Sequence, residues 1–134
     1  MTEDDLLNAA RAARHNAYAP YSRFHVGAAV MDEAGRVSAG CNVENAAYPQ
    51  GVCAEAGAIS AMVAGGGRAI RLVAISAGPG QTLQACLPCG GCRQKILEFA
   101  IEDAEVLVDT PDGVERHAFA ELMPKAFGPG NLER

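Results

Sequence analysis

Cys53-Ala54-Glu55 and Pro88-Cys89-Gly90-Gly91-Cys92 each stand where a helix-like run begins. Two cysteines three apart at a helix start lie on the same side of its first turn, where free backbone N–H groups favour thiolate over thiol. Cys53 and Glu55, two apart, do not share a helix wall, yet both can address a point ahead of the helix N-terminus. Two helix starts aimed at one point would place Cys53, Cys89 and Cys92 around a Zn²⁺ and leave one tetrahedral position open, the arrangement of a catalytic rather than a structural zinc. Glu55, beside the ligands but not one of them, is then free to transfer protons. Blander readings compete with this one. The cysteines could be small buried residues in a Gly-rich turn, and Glu55 a carboxylate favoured by the helix dipole.

Cys86 opens two further alternatives. Cys86-x-x-Cys89-x-x-Cys92 matches part of an iron–sulfur run, and Cys86 could complete a four-cysteine structural zinc. Against the cluster, Arg93-Gln94-Lys95-Ile96 follows where Cys-Pro belongs. Against a fourth ligand, Leu87-Pro88 separates Cys86 from the helix start. Cys86 is therefore expected to be buried at the end of a loop, and Cys41 to be a core residue. His15, His25 and His117 have no partner motif.

The elements that must position these residues follow from pattern. Thr2 and Asp5 form a capping box for an amphipathic helix over residues 4–17. Strands are expected at Phe24–Met31 and Arg36–Cys41 around an Asp32–Gly35 turn, and an irregular loop over residues 42–52. A helix over Cys53–Ala64 stops at Gly65-Gly66-Gly67. Ile70–Ser76 reads as an interior strand, Cys89–Phe99 as a helix entered through Pro88, Glu105–Val108 and Val114–Ala118 as strands, and Phe119–Leu122 as a short helix. The order α-β-β-α-β-α-β-β predicts an α/β fold, a mixed five-stranded sheet sandwiched by helices, as a single domain over residues 1–134.

Composition narrows the class. The 134 residues are 49% apolar and 20% charged, which suits one compact core. Net charge is −5 and the arginines are scattered, so a nucleic acid polymer is a poor partner and a small neutral or cationic molecule a better one. No stretch is long enough to span a bilayer, and the N-terminus lacks a signal peptide's apolar centre. A cytoplasmic protein with five reduced cysteines is expected.

Cys-x-Glu with Pro-Cys-x-x-Cys is the zinc-deaminase signature. The likeness extends through Ala19-Pro20-Tyr21-Ser22-x-Phe24-x-Val26-Gly27-Ala28-Ala29, Gly40-Cys41-Asn42-Val43-Glu44-Asn45, Pro88-Cys89-Gly90-x-Cys92-Arg93-Gln94 and Leu122-x-Pro124-x-Ala126-Phe127. In these blocks the chain resembles the small homotetrameric cytidine deaminases. The resemblance implies a three-layer α/β/α fold, one Zn²⁺ per chain on Cys53, Cys89 and Cys92, and hydrolysis of cytidine and 2'-deoxycytidine to uridine and 2'-deoxyuridine plus ammonia in pyrimidine salvage. It implies that Glu55 carries protons between the attacking water, N3 of cytosine and the departing amino group. Asn42 and Glu44, with Val43 between them, would hold the ribose hydroxyls. Phe24 and Ala54 would line the nucleoside pocket, and Tyr48 and Phe127 would complete the sites of neighbouring subunits. Enzymes acting on another small aminated heterocycle, such as blasticidin S, share Cys-Ala-Glu and Pro-Cys-Gly-x-Cys-Arg-Gln and stay open as an alternative. One departure stands out: Ala56 occupies the place where tetrameric members carry an arginine on the thiolates. Arg93 and the two helix N-termini are then expected to offset the thiolate charge.

Overall fold

The structure, a computed structural model, describes residues 1–132. Helix α1 (Glu3–His15) starts at the capping box, where Thr2 Oγ1 accepts from the Asp5 N–H and Asp5 Oδ2 accepts from the Thr2 N–H. Strands β1 (Phe24–Asp32) and β2 (Val37–Cys41) form a hairpin, and α2 (Ala54–Ala64) follows. The rest is β3 (Ile70–Pro79), α3 (Gly90–Leu97), β4 (Ala100–Thr110), β5 (Gly113–Ala118) and the short α4 (Phe119–Leu122). The five strands form one mixed sheet in the order β2-β1-β3-β4-β5, parallel only between β3 and β4.

Side chains alternate across the sheet, so each strand feeds two cores. Ala29, Met31, Ala74 and Leu107 pack under Leu6, Leu7 and Ala10 of α1. Ala28, Val30, Val73 and Val106 face the other way, under Ala58 and Met62 of α2 and Ile96 of α3. The three-layer sandwich expected above is therefore the observed fold. Two glycines set the layer spacing. A Cβ on Gly27 would lie 2.0 Å from the Ala10 carbonyl oxygen, and one on Gly40 would lie 2.5 Å from the Ala58 nitrogen. Either methyl group would push a helix off the sheet.

Strand direction explains how distant cysteines meet. β2 and β3 both pair antiparallel with β1, so they point the same way. Their carboxyl ends, and hence the starts of α2 and α3, lie at one edge, where β1 begins at Phe24. Ligands in open α/β sheets bind outside the carboxyl ends of strands for this reason.

The expected elements all exist, with differences at several boundaries and at Cys41. β3 runs on to Pro79 because Ser76–Pro79 pair with Phe24–Gly27. β4 begins at Ala100, and its exposed residues Ile101, Glu102 and Asp103 lack the buried apolar run that marks the rest of the strand. Residues 48–50 inside the expected irregular loop form a turn of 3-10 helix. Cys41 is half-buried at the end of edge strand β2 rather than a core residue.

An ion pair between a half-exposed arginine and a buried carboxylate ties α1 to the sheet. Arg11 donates to both carboxylate oxygens of Asp109 at 2.8 and 3.1 Å, and the Ser76 hydroxyl donates to Oδ2 at 3.0 Å. The guanidinium first, and then Ser76, hold the Asp109 carboxyl below the usual carboxylate range. A depressed folded pKa gives stability that is present above the unfolded value near 4 and is lost as pH falls through the folded one. Asp109→Asn should therefore lower stability by about 2 kcal/mol at neutral pH. Thermal unfolding of both proteins across pH 2–7 checks this: the gap should close toward the acid end.

Candidate active site

Cys53 and Cys89 are the N-cap residues of α2 and α3 rather than their first helical residues. Both cap residues have extended backbones. Cys92 lies one turn inside α3 and is 1% exposed. The three Sγ atoms all lie within 4.8 Å of one another. Sulfurs 2.3 Å from a tetrahedral zinc sit about 3.8 Å apart, so the donor set fits that ion in size and chemistry.

The electrostatics agree. The Cys92 backbone N–H pulls the Cys89 thiol below its ordinary value. Burial pushes the Cys53 and Cys92 thiols up, and the neighbouring negative groups add to it. Metal binding at this trio must then displace protons. Glu55 is 5% exposed. Burial raises its pKa, while its own backbone N–H and the Lys95 charge pull the other way.

Cys86 stands outside the trio. Half-buried, it points its Sγ to the Leu87 carbonyl at 3.6 Å, which leaves three ligands where a closed structural site takes four. Arg93 joins the start of α3 to the C-terminal segment: its Nε donates to the Pro88 carbonyl at 2.7 Å and its Nη1 to the Leu122 carbonyl at 3.1 Å. Ala56 instead borders a groove of about 440 Å³ shared with Gln94 and Lys95.

Beside Cys53 opens a cleft of about 530 Å³ lined by Asn42, Val43, Glu44 and Tyr48, with Tyr21 and Ser22 next to Glu44. The Asn42 amide is built into the loop: Oδ1 accepts from the Val26 N–H at 2.9 Å, and Nδ2 donates to the Phe24 carbonyl at 2.8 Å. One amide hydrogen stays free. Glu44 accepts the Tyr21 and Ser22 N–H groups at 2.9 and 3.1 Å, and the Ser22 hydroxyl. Ser22 first, despite some loss of solvent, holds its carboxyl below the ordinary range. Tyr48, 76% exposed, meets Tyr21 edge-to-face with ring centroids 6.0 Å apart.

The remaining expected site residues lie elsewhere. Phe24 is half-buried against the core and Ala54 is within it. Phe127 is 58% exposed on the C-terminal tail, its carbonyl accepting from Gln94 Nε2 at 2.8 Å. Sequence reasoning missed Tyr21 and Ser22 as walls of the cleft. The types of Tyr21 and Ser22 do not announce whose carboxylate their N–H groups will hold.

The chain is similar to known zinc-binding deaminases. A family model described as the cytidine and deoxycytidylate deaminase zinc-binding region matches residues 1–108. The chain is 44% identical over 128 residues to a cytidine deaminase of Mycobacterium tuberculosis, covering 95% of this chain and 90% of the relative. It is 38% identical over 133 residues to that of Sporosarcina psychrophila, covering 98% and 96%. A crystal structure of cytidine deaminase from Burkholderia pseudomallei superposes with a TM-score of 0.82 at 41% identity, covering 95% of this chain and 100% of that one. One from Mycobacterium leprae gives 0.77 at 42%, covering 93% and 99%.

The trio predicts a metal-content contrast. Cys86→Ala should retain about one zinc per chain, whereas Cys92→Ala should lose it. Elemental analysis of the purified, gel-filtered variants checks both outcomes.

Proposed function

The chain belongs to the cytidine and deoxycytidylate deaminase zinc-binding family, and from that premise we propose that Glu55 moves the protons for hydrolytic deamination of free cytidine and 2'-deoxycytidine, with zinc held by Cys53, Cys89 and Cys92. The observation that carries this reading is the meeting of three cysteine sulfurs within 4.8 Å at two helix starts, with a buried, non-ligating carboxylate two residues from one of them. Zinc, when bound, supplies Lewis-acid activation of a water molecule.

The chain's own residues do the rest. Burial holds Glu55 closer to neutrality than an exposed carboxylate, which suits a group that must both take and give a proton. Glu55 takes a proton from the attacking water and delivers it to N3 of the cytosine ring. A second transfer goes to the 4-amino group, which leaves as ammonia. One water is consumed, and uridine or 2'-deoxyuridine remains.

Asn42 and Glu44 receive the sugar hydroxyls, one through its free amide hydrogen and the other through its carboxylate. Val43 and Ala54 pack beside the nucleoside and Phe24 lines the base pocket. The sugar-facing pair favours a nucleoside over another small aminated heterocycle. An acidic chain with net charge −5 favours a free nucleoside over a polynucleotide.

Glu55→Gln keeps the size of the side chain and removes its basicity. Ammonia release from cytidine should fall about 10²–10⁴-fold with zinc content unchanged. A near wild-type rate in this variant overturns the assignment.

The reading extends to assembly and place: a homotetramer in the cytoplasm serving pyrimidine salvage, with Tyr48 and Phe127 completing the sites of neighbouring subunits. Exposed Tyr18, Tyr21, Val43, Tyr48, Val52 and Phe127 support burial against other copies. Among the described residues, no helix is long and apolar enough to cross a membrane. Light scattering should return four times the 13.9 kDa chain mass, and full activity at the mass of a single chain overturns the shared site.

A further inference from the structure

The segments 18–24 and 42–44 form one wall of the cleft. Their backbones touch through a short bridge, in which the Tyr18 N–H donates to the Asn42 carbonyl at 3.0 Å and the Glu44 N–H to the Tyr18 carbonyl at 2.8 Å. Side chains do the rest of the joining. Ser22 is the centre of it: its hydroxyl donates to Glu44 Oε2 and accepts the Phe24 N–H at 3.0 Å. Arg23, between Ser22 and Phe24, adopts a left-handed φ of 62°. Few non-glycine residues do so, and here it turns the chain so that one hydroxyl reaches both partners.

Counting acceptor sites sharpens the consequence. A carboxylate offers about four lone-pair directions. On Glu44, Oε1 takes two backbone N–H groups and Oε2 takes the Ser22 hydroxyl. The open site is on Oε2, the oxygen that Ser22 holds. We propose that Ser22 is a positioning residue: its hydroxyl aims Glu44 Oε2 at a sugar hydroxyl of the substrate and ties that oxygen to Phe24, which lines the base pocket. The inference rests on the reading that Glu44 receives the sugar.

The test compares substrates that differ only in the sugar. With cytidine, Ser22→Ala should raise KM about tenfold, leave kcat within about twofold and leave zinc content unchanged. With 2',3'-dideoxycytidine, whose sugar lacks both ring hydroxyls, the same substitution should leave KM where the wild type has it. Ser22→Thr, which keeps the hydroxyl, should restore binding of cytidine. The acid-side weakening of cytidine binding should also set in at higher pH in Ser22→Ala, because Glu44 loses its strongest donor. An equal rise in KM for both substrates, or no rise for cytidine, overturns the role of Ser22. Glu44→Ala separates the two ideas: unchanged KM for cytidine in that variant overturns the sugar contact itself. Should Ser22→Ala not fold, Ser22→Cys, a near-isostere with a weak donor, decides the same comparison.

Discussion

Everything at the site depends on β1 pairing antiparallel with a strand on each side. That arrangement makes β2 and β3 parallel to each other without touching, and it delivers the loops that follow them to one edge of the sheet. α2 and α3 therefore begin side by side, and their cap residues, Cys53 and Cys89, come within bonding distance of one ion. A metal site built from side chains on two helix starts needs those starts fixed to within a fraction of an ångström. Gly27 and Gly40 provide this by letting α1 and α2 sit directly on the β1–β2 hairpin, one on each face.

Charge is managed by backbone more than by side chains. Three thiolates around zinc leave a net negative centre, which tends to hold the pKa of a bound water up. Arg93, the cation nearest in sequence, spends its donors on the Pro88 and Leu122 carbonyls and fastens α3 to the C-terminal segment. Ala56 contributes no charge. What faces the trio is the positive end of two helices, a fixed partial charge that costs no side-chain entropy. The buried Glu55 adds a further negative group that pushes the thiols up, and Lys95 is its own cationic neighbour.

The wall formed by Asn42 and Glu44 follows a different rule. These two side chains hold the loop together: each spends about half of its hydrogen-bonding capacity on the backbone of residues 21–26. Their orientation is thereby set in the free protein, which lowers the ordering cost when a nucleoside binds.

Local chemistry was readable from the chain alone. Spacing made Cys89 and Cys92 neighbours on one helical turn, a non-ligating carboxylate followed Cys53, and apolar periodicity placed every main element to within a few residues. Where local signals were weak, the boundaries shifted: the exposed start of β4 at residues 100–103 lacks an apolar face, and the end of β3 exists because it pairs with Phe24–Gly27. Hydrogen bonds between segments far apart in sequence leave no periodic trace at all. The tertiary structure alone decided that Arg93 serves two carbonyls and that the Ser22 hydroxyl binds Glu44. Each depends on the direction a side chain takes once two distant backbones are fixed, and a residue's type and spacing do not carry that direction.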